Sequence, residues 1–241
     1  MWVTSPNYST KRIIHYVKQK NPRGVAKYNY CYYGKFRSTD VEVHYRPAYM
    51  FNPYRKTLLL KWIREQREQQ FRHIVDLPGS LGQICTPTWE FNVIIQLANI
   101  FGHALNEGFD LRQVIDYYYL LKSAKNQDMD KDEISRLLKA FGLQKIASAM
   151  IWILHDMLGL EEELLIAPRD EKRGWILLEE VLRGPQHSRY FRGKVRVIRQ
   201  SRRAFHSLKR YLKRLLYYPE EVFWIPFFRI YHFFFWQVKF N

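Results

Sequence analysis

The chain has 241 residues, 47% hydrophobic and 26% charged, which excludes a disordered polymer and allows one good core or two smaller ones. The formal net charge of +16 is unevenly placed: residues 1–180 hold 25 Lys/Arg against 21 Asp/Glu, and residues 181–241 hold 14 against 2. A tail of that kind points to an anionic partner and says little about the body.

Residues 10–20, TKRIIHYVKQK, predict a short helix that the NPRG run stops. VAKYNYCYY (25–33) has strand composition, and GKFRST makes a turn into a second strand within STDVEVHYRP (38–47). The two form a hairpin with too little sheet to stand alone. From Asp40 to Arg46 the second strand alternates, with Asp40, Glu42, His44 and Arg46 on one side and Val41, Val43 and Tyr45 on the other. Two readings follow. The charged side is a solvated face, with Glu42 paired to Arg46 or Lys35, Asp40 ending the turn and His44 packed. Alternatively, it is the wall of a metal or phosphate site.

Asn52 as N-cap and Pro53 at the first helical position open the next helix, and HIVDLPGSLGQICTPT (73–88) reads as strand and loop. The pattern then turns helical, with predicted helices near 86–108, 109–122, 130–142, 143–159 and 170–184. Asp130 with Glu133 makes a capping box, and Gly108, Gly142 and Gly159 serve as stops. His103, on an otherwise apolar helix, reads as a core histidine, and Arg112 with Asp116, four residues on, as an ion pair. Cys31 and Cys85 lack zinc spacing. With no secretory leader ahead of them, they predict free thiols in a reducing, cytoplasmic compartment.

Between Val181 and Pro219 there are 12 Lys/Arg and no acid. Within SRRAFHSLKRYLKRLLYY, Ala204, Phe205, Leu208, Tyr211, Leu212, Leu215 and Leu216 form one helical face. Arg202, Arg203, Lys209, Arg210, Lys213 and Arg214 lie on the other. The aromatic run that follows is interrupted at Pro226, too soon for a spanning helix of ~20 apolar residues. This tail fits an anionic membrane surface better than nucleic acid, for which no base-reading motif is present.

The runs DVEVHYRP and GHALNEGFDLRQVIDYYYLL resemble a bacterial nucleotidyltransferase-like family. That family lies in the polymerase-beta-type superfamily and is often encoded near polysaccharide-biosynthesis genes. Its strand reading acid–apolar–His–aromatic is matched by Glu42, His44 and Tyr45, and its helical motifs by His103, Arg112, Gln113, Asp116 and Tyr117. YPEEVFWIPFFR resembles its C-terminal segment, so that the likeness runs from about Tyr8 onward.

The resemblance implies transfer of a nucleotidyl group from an NTP to an acceptor, with Mg²⁺ as cofactor. Superfamily chemistry needs a Gly-Ser turn and an Asp-x-Asp pair. A third carboxylate completes a two-metal clamp on the attacking and leaving oxygens. By the resemblance Glu42 would be that third metal ligand and Asp40 an acid beside it. His44, Arg46, His103, Arg112 and Asp116 would face substrate, with Arg46 steadying a phosphate. No Asp-x-Asp or Gly-Ser precedes Asp40, and Asp128-x-Asp130 and Gly79-Ser80 come too late.

The expectation is an α+β protein: a partial nucleotidyltransferase-like sheet unit over 1–85, a helical bundle over 86–184, and a basic, aromatic-rich helical tail over 185–241. It would be a truncated or degenerate member, inactive alone, with Mg²⁺ bound only where a companion polypeptide completes the site. The alternative is a non-catalytic peripheral protein whose tail binds a partner or the inner face of a membrane.

Overall fold

A computed structural model describes residues 10–26, 29–106, 108–126, 129–183 and 211–237. It is α+β, with small antiparallel sheets near the start and helices thereafter. Helix α1 (Thr10–Lys20) buries Ile13, Ile14 and Val17 against a three-stranded sheet in the order β1-β2-β3. The strands are β1 (Val25–Ala26), β2 (Tyr30–Phe36) and β3 (Thr39–His44).

The expected hairpin therefore gains a third, short strand, and the segment read as one strand over 25–33 is divided between β1 and β2. β2 also runs on through Gly34 to Phe36, which shortens the turn to Arg37 and Ser38, with Arg37 at φ 56°. Ala26, Cys31 and Tyr45 join α1 in a small core, with Val43 and Tyr33 packed at its edge. The apolar side of the alternation is thus turned inward, as its period requires.

A second, larger core is built on α2 (Pro53–Glu65), α4 (Trp89–Asn106), α5 (Leu111–Lys122), α6 (Lys131–Ala140), α7 (Gln144–Trp152) and α8 (Glu171–Arg183). α4 is buried almost all round, which its apolar sequence dictates. α7 continues into a π-helical turn at Ile153–Met157. A short α3 (Arg67–Arg72) leads to an exposed ribbon of β4 (Ile74–Asp76) and β5 (Gln83–Cys85).

The caps are local chemistry. The Asn52 side chain accepts from the N–H groups of Tyr54 and Arg55, beside Pro53 in the first turn of α2. Asp130 accepts from the Glu133 N–H, but the Glu133 carboxylate turns to Arg136 at 2.6 Å, so only half of the expected box forms. Gly142 ends α6 at φ 67°, a conformation that favours glycine.

The described tail is α9 (211–217), α10 (Pro219–Val222), α11 (Ile225–Tyr231) and a π-helical turn (His232–Gln237). Tyr218, Val222 and Ile225 belong to the larger core. Tyr211 and Leu215 pack on that core, whereas Leu212 and Leu216 of the same predicted face are exposed. No helix among the described residues is long and apolar enough to cross a membrane.

Candidate functional site

The charged side of β3 lies open beside two tyrosines of β2, because Tyr30 pairs with His44 and Tyr32 with Glu42. The Tyr32 hydroxyl donates to the Asp40 carboxylate at 2.6 Å, a bond that holds the phenol pKa up. The His44 ring stacks on Tyr30 with centroids 5.2 Å apart and lies 3.3 Å from the Glu42 carboxylate. Burial lowers the His44 pKa, and the Glu42 carboxylate opposes the shift. His103 of α4 also acts to lower it, so strand and helix converge on one place. At neutral pH the His44–Glu42 contact is accordingly a hydrogen bond from a neutral ring.

One residue further along, the chain is held tightly. The N–H groups of Tyr45 and Arg46 both bond the Asn29 carbonyl, at 3.0 and 3.1 Å. The Asn99 side chain on α4 donates to the Pro47 carbonyl at 2.8 Å. Lys56, in the opening turns of α2, lies within electrostatic reach of Arg46. Burial lowers the Lys56 pKa, and the Arg46 guanidinium lowers it further. Two half-buried cations thus influence each other electrostatically.

The start of α2 is itself braced from the tail. Glu221 accepts from the N–H groups of Phe51 and Asn52 at 2.8 and 3.0 Å. Glu220 pairs with Arg55 and, at 3.4 Å, with Lys145. Both acids of residues 181–241 are thus engaged within the fold.

Of the predicted site residues, Glu42 meets His44, which His103 also influences; Asp40 is held instead by Tyr32, and Arg46 acts on Lys56. Arg112 and Asp116 meet each other at 3.7 Å on an exposed face of α5, in the ion pair their spacing suggests. Tyr117 is core, its hydroxyl donating to the Val93 carbonyl at 3.3 Å. Lys213 pairs with Glu179 at 2.8 Å, and Arg214 donates to the Leu105 carbonyl at 2.8 Å and to Glu180 at 3.4 Å. Arg202, Arg203, Lys209 and Arg210 lie outside the described residues.

Sequence reasoning missed Lys56. It lies ten residues beyond Arg46, past two prolines, and no local pattern links the two; only its place at the start of a capped helix was legible.

The residues present do not fit Mg²⁺ by themselves. Among the described residues no group of three or more His, Cys, Asp or Glu could hold a metal. Glu42 has an imidazole for its neighbour and Asp40 a phenol, whereas Mg²⁺ wants several fixed oxygen ligands.

A family model described as an uncharacterised nucleotidyltransferase matches residues 9–159. No curated protein and no solved structure matches the chain.

Proposed function

Because the chain belongs to the family of uncharacterised nucleotidyltransferases, we propose that it binds the phosphate chain of an NTP between Arg46 and Lys56. The wall of Glu42, His44 and His103 would lie alongside the nucleotide. The observation that carries this reading is the pair of like charges held together at Lys56, whose pKa is lowered by burial and then by Arg46. A polyphosphate replaces that repulsion with two attractions. Arg46 offers a planar fork to two phosphate oxygens, and Lys56 a point charge.

In this reading Glu42 is one acid of a site that needs two more. Residues 1–39 carry no Asp-x-Asp pair, so transfer of a nucleotidyl group to an acceptor would need carboxylates beyond those that residues 1–39 supply. Mg²⁺ would join only then. Alone, residues 1–241 would hold nucleotide without turning it over. Arg112 and Asp116, on the exposed face of α5, are left out of this site.

Calorimetric titration with ATP and with adenosine tests the proposal. ATP should bind the more tightly, and Arg46→Ala and Lys56→Ala should each weaken ATP about tenfold or more while leaving adenosine unchanged. ATP affinity untouched by both substitutions would overturn it.

A further inference from the structure

α11 is apolar on both sides. On its inner side Ile225 is in the core, and Phe228 stacks on Tyr49 at 5.9 Å and meets Phe51 edge-on at 5.2 Å. On its outer side Phe227 and Ile230 are 53% and 58% exposed, and Phe223 in the turn before it and Phe234 in the π-helical turn after it are 54% and 60% exposed. These four follow one another at intervals of four, three and four residues, the spacing of one helical stripe. Tyr231 and Phe233, also exposed, widen it. Single exposed hydrophobes are ordinary on a protein surface; a run of six within twelve residues marks an interaction face.

Charge and residue type select the occupant. Residues 181–241 carry 14 Lys/Arg and only two acids, and those acids, Glu220 and Glu221, are turned to Arg55, Lys145 and the start of α2. Ten of the 14 cations fall in residues 181–210, just ahead of the stripe in sequence, while Arg229 within it donates to Asn106 and both local acids are engaged. Phe and aliphatic residues form the buried face of interfacial helices, and a cationic excess draws a protein to anionic lipid.

We propose that the outer face of α11 and of the turns flanking it is a membrane-docking surface that lies flat in the headgroup region of an anionic bilayer, with Phe223, Phe227, Ile230 and Phe234 inserted. The cations Lys213 and Arg214 are not its headgroup contacts, since they pair with Glu179 and Glu180. The attraction comes from the excess charge of the whole tail.

The test is co-sedimentation of the full chain with vesicles of phosphatidylcholine, alone or mixed with phosphatidylserine. The chain should bind the anionic vesicles, and added salt should weaken binding. The double variant Phe227→Ser/Phe234→Ser and, separately, Ile230→Lys should each reduce it about tenfold or more. All three positions are exposed, so circular dichroism and melting should be unchanged; a variant that melts early would instead show the stripe to be covered by the chain itself. Absence of binding by the unaltered chain, or binding equal in the variants, would overturn the proposal. So would a concentration-dependent dimer that the variants dissolve without any vesicle binding, since it assigns the face to a second copy. The same variants should bind ATP normally, so failure here leaves the nucleotide reading standing, and the converse holds for Arg46→Ala and Lys56→Ala.

Discussion

Glu221 is a carboxylate only 1% exposed, with one oxygen accepting from two backbone N–H groups and Oε1 without a partner. Burial pushes its pKa up to about 7 from an ordinary value of 4.5, against the pull of those N–H bonds and of Arg55. The folded chain therefore holds this proton more tightly than the unfolded chain does. The associated stability is fully present below the ordinary carboxylate value and is lost as pH rises through about 7. Glu221→Gln keeps an acceptor oxygen and removes the charge. It should flatten the melting temperature between about pH 5 and about pH 8 and raise it at the upper end. A variant whose melting temperature still falls over that range would contradict this. At this scale the alternation of Asp40, Glu42, His44 and Arg46 was legible because it depends on period two alone. The destination of Glu221 was not: an acid-poor tail is visible in composition, but which backbone groups its two acids satisfy depends on contacts 170 residues away in the chain.

Between elements, α7 and α8 pack tightly at Gly174. A methyl added at Gly174 would overlap the Trp152 ring, and Trp175 on the next position lies over the same ring with centroids 5.2 Å apart. Helix propensity alone would favour alanine at this position by about 1 kcal/mol. The overlap should win. Gly174→Ala is expected to destabilise the chain by about 1–3 kcal/mol in urea denaturation, and a gain in stability would show that α8 can move away freely. Helix ends were the most legible part of the fold, because Asn52, Pro53, Asp130 and Gly142 act through their own neighbours. The sheet was less so. The extension of β2 to Phe36 and the short strand β1 both depend on pairing partners, and composition had placed a turn where β2 continues. Periodicity placed Tyr211, Leu212, Leu215 and Leu216 on one helical face without saying what each would meet. Arg214 and Lys213 find Glu180 and Glu179 on α8, so the helix docks along the Tyr211–Leu215 stripe and leaves Leu212 and Leu216 outside.

At the scale of the whole molecule, the family match over 9–159 takes in everything from α1 through the π-helical turn after α7. The tail then returns to that region. Arg214 bonds the Leu105 carbonyl near the end of α4, Glu220 pairs with Arg55, and Glu221 holds the first residues of α2. α2 in turn carries Lys56, so the tail braces the element that presents one of the two cations. The α+β class and the order of sheet before bundle followed from periodicity. The meeting of strand, loop and helix at Arg46 and Lys56 did not, because it is made by Asn29, Asn99 and the tail together. The central claim is that this cation pair is a phosphate site, and the pKa of Lys56 reports on it directly. It should be followed by NMR of the lysine side chain, with and without inorganic triphosphate. The free chain should show Lys56 below the ordinary lysine value, and bound triphosphate should raise it; a Lys56 pKa that stays put at saturating triphosphate would contradict the account.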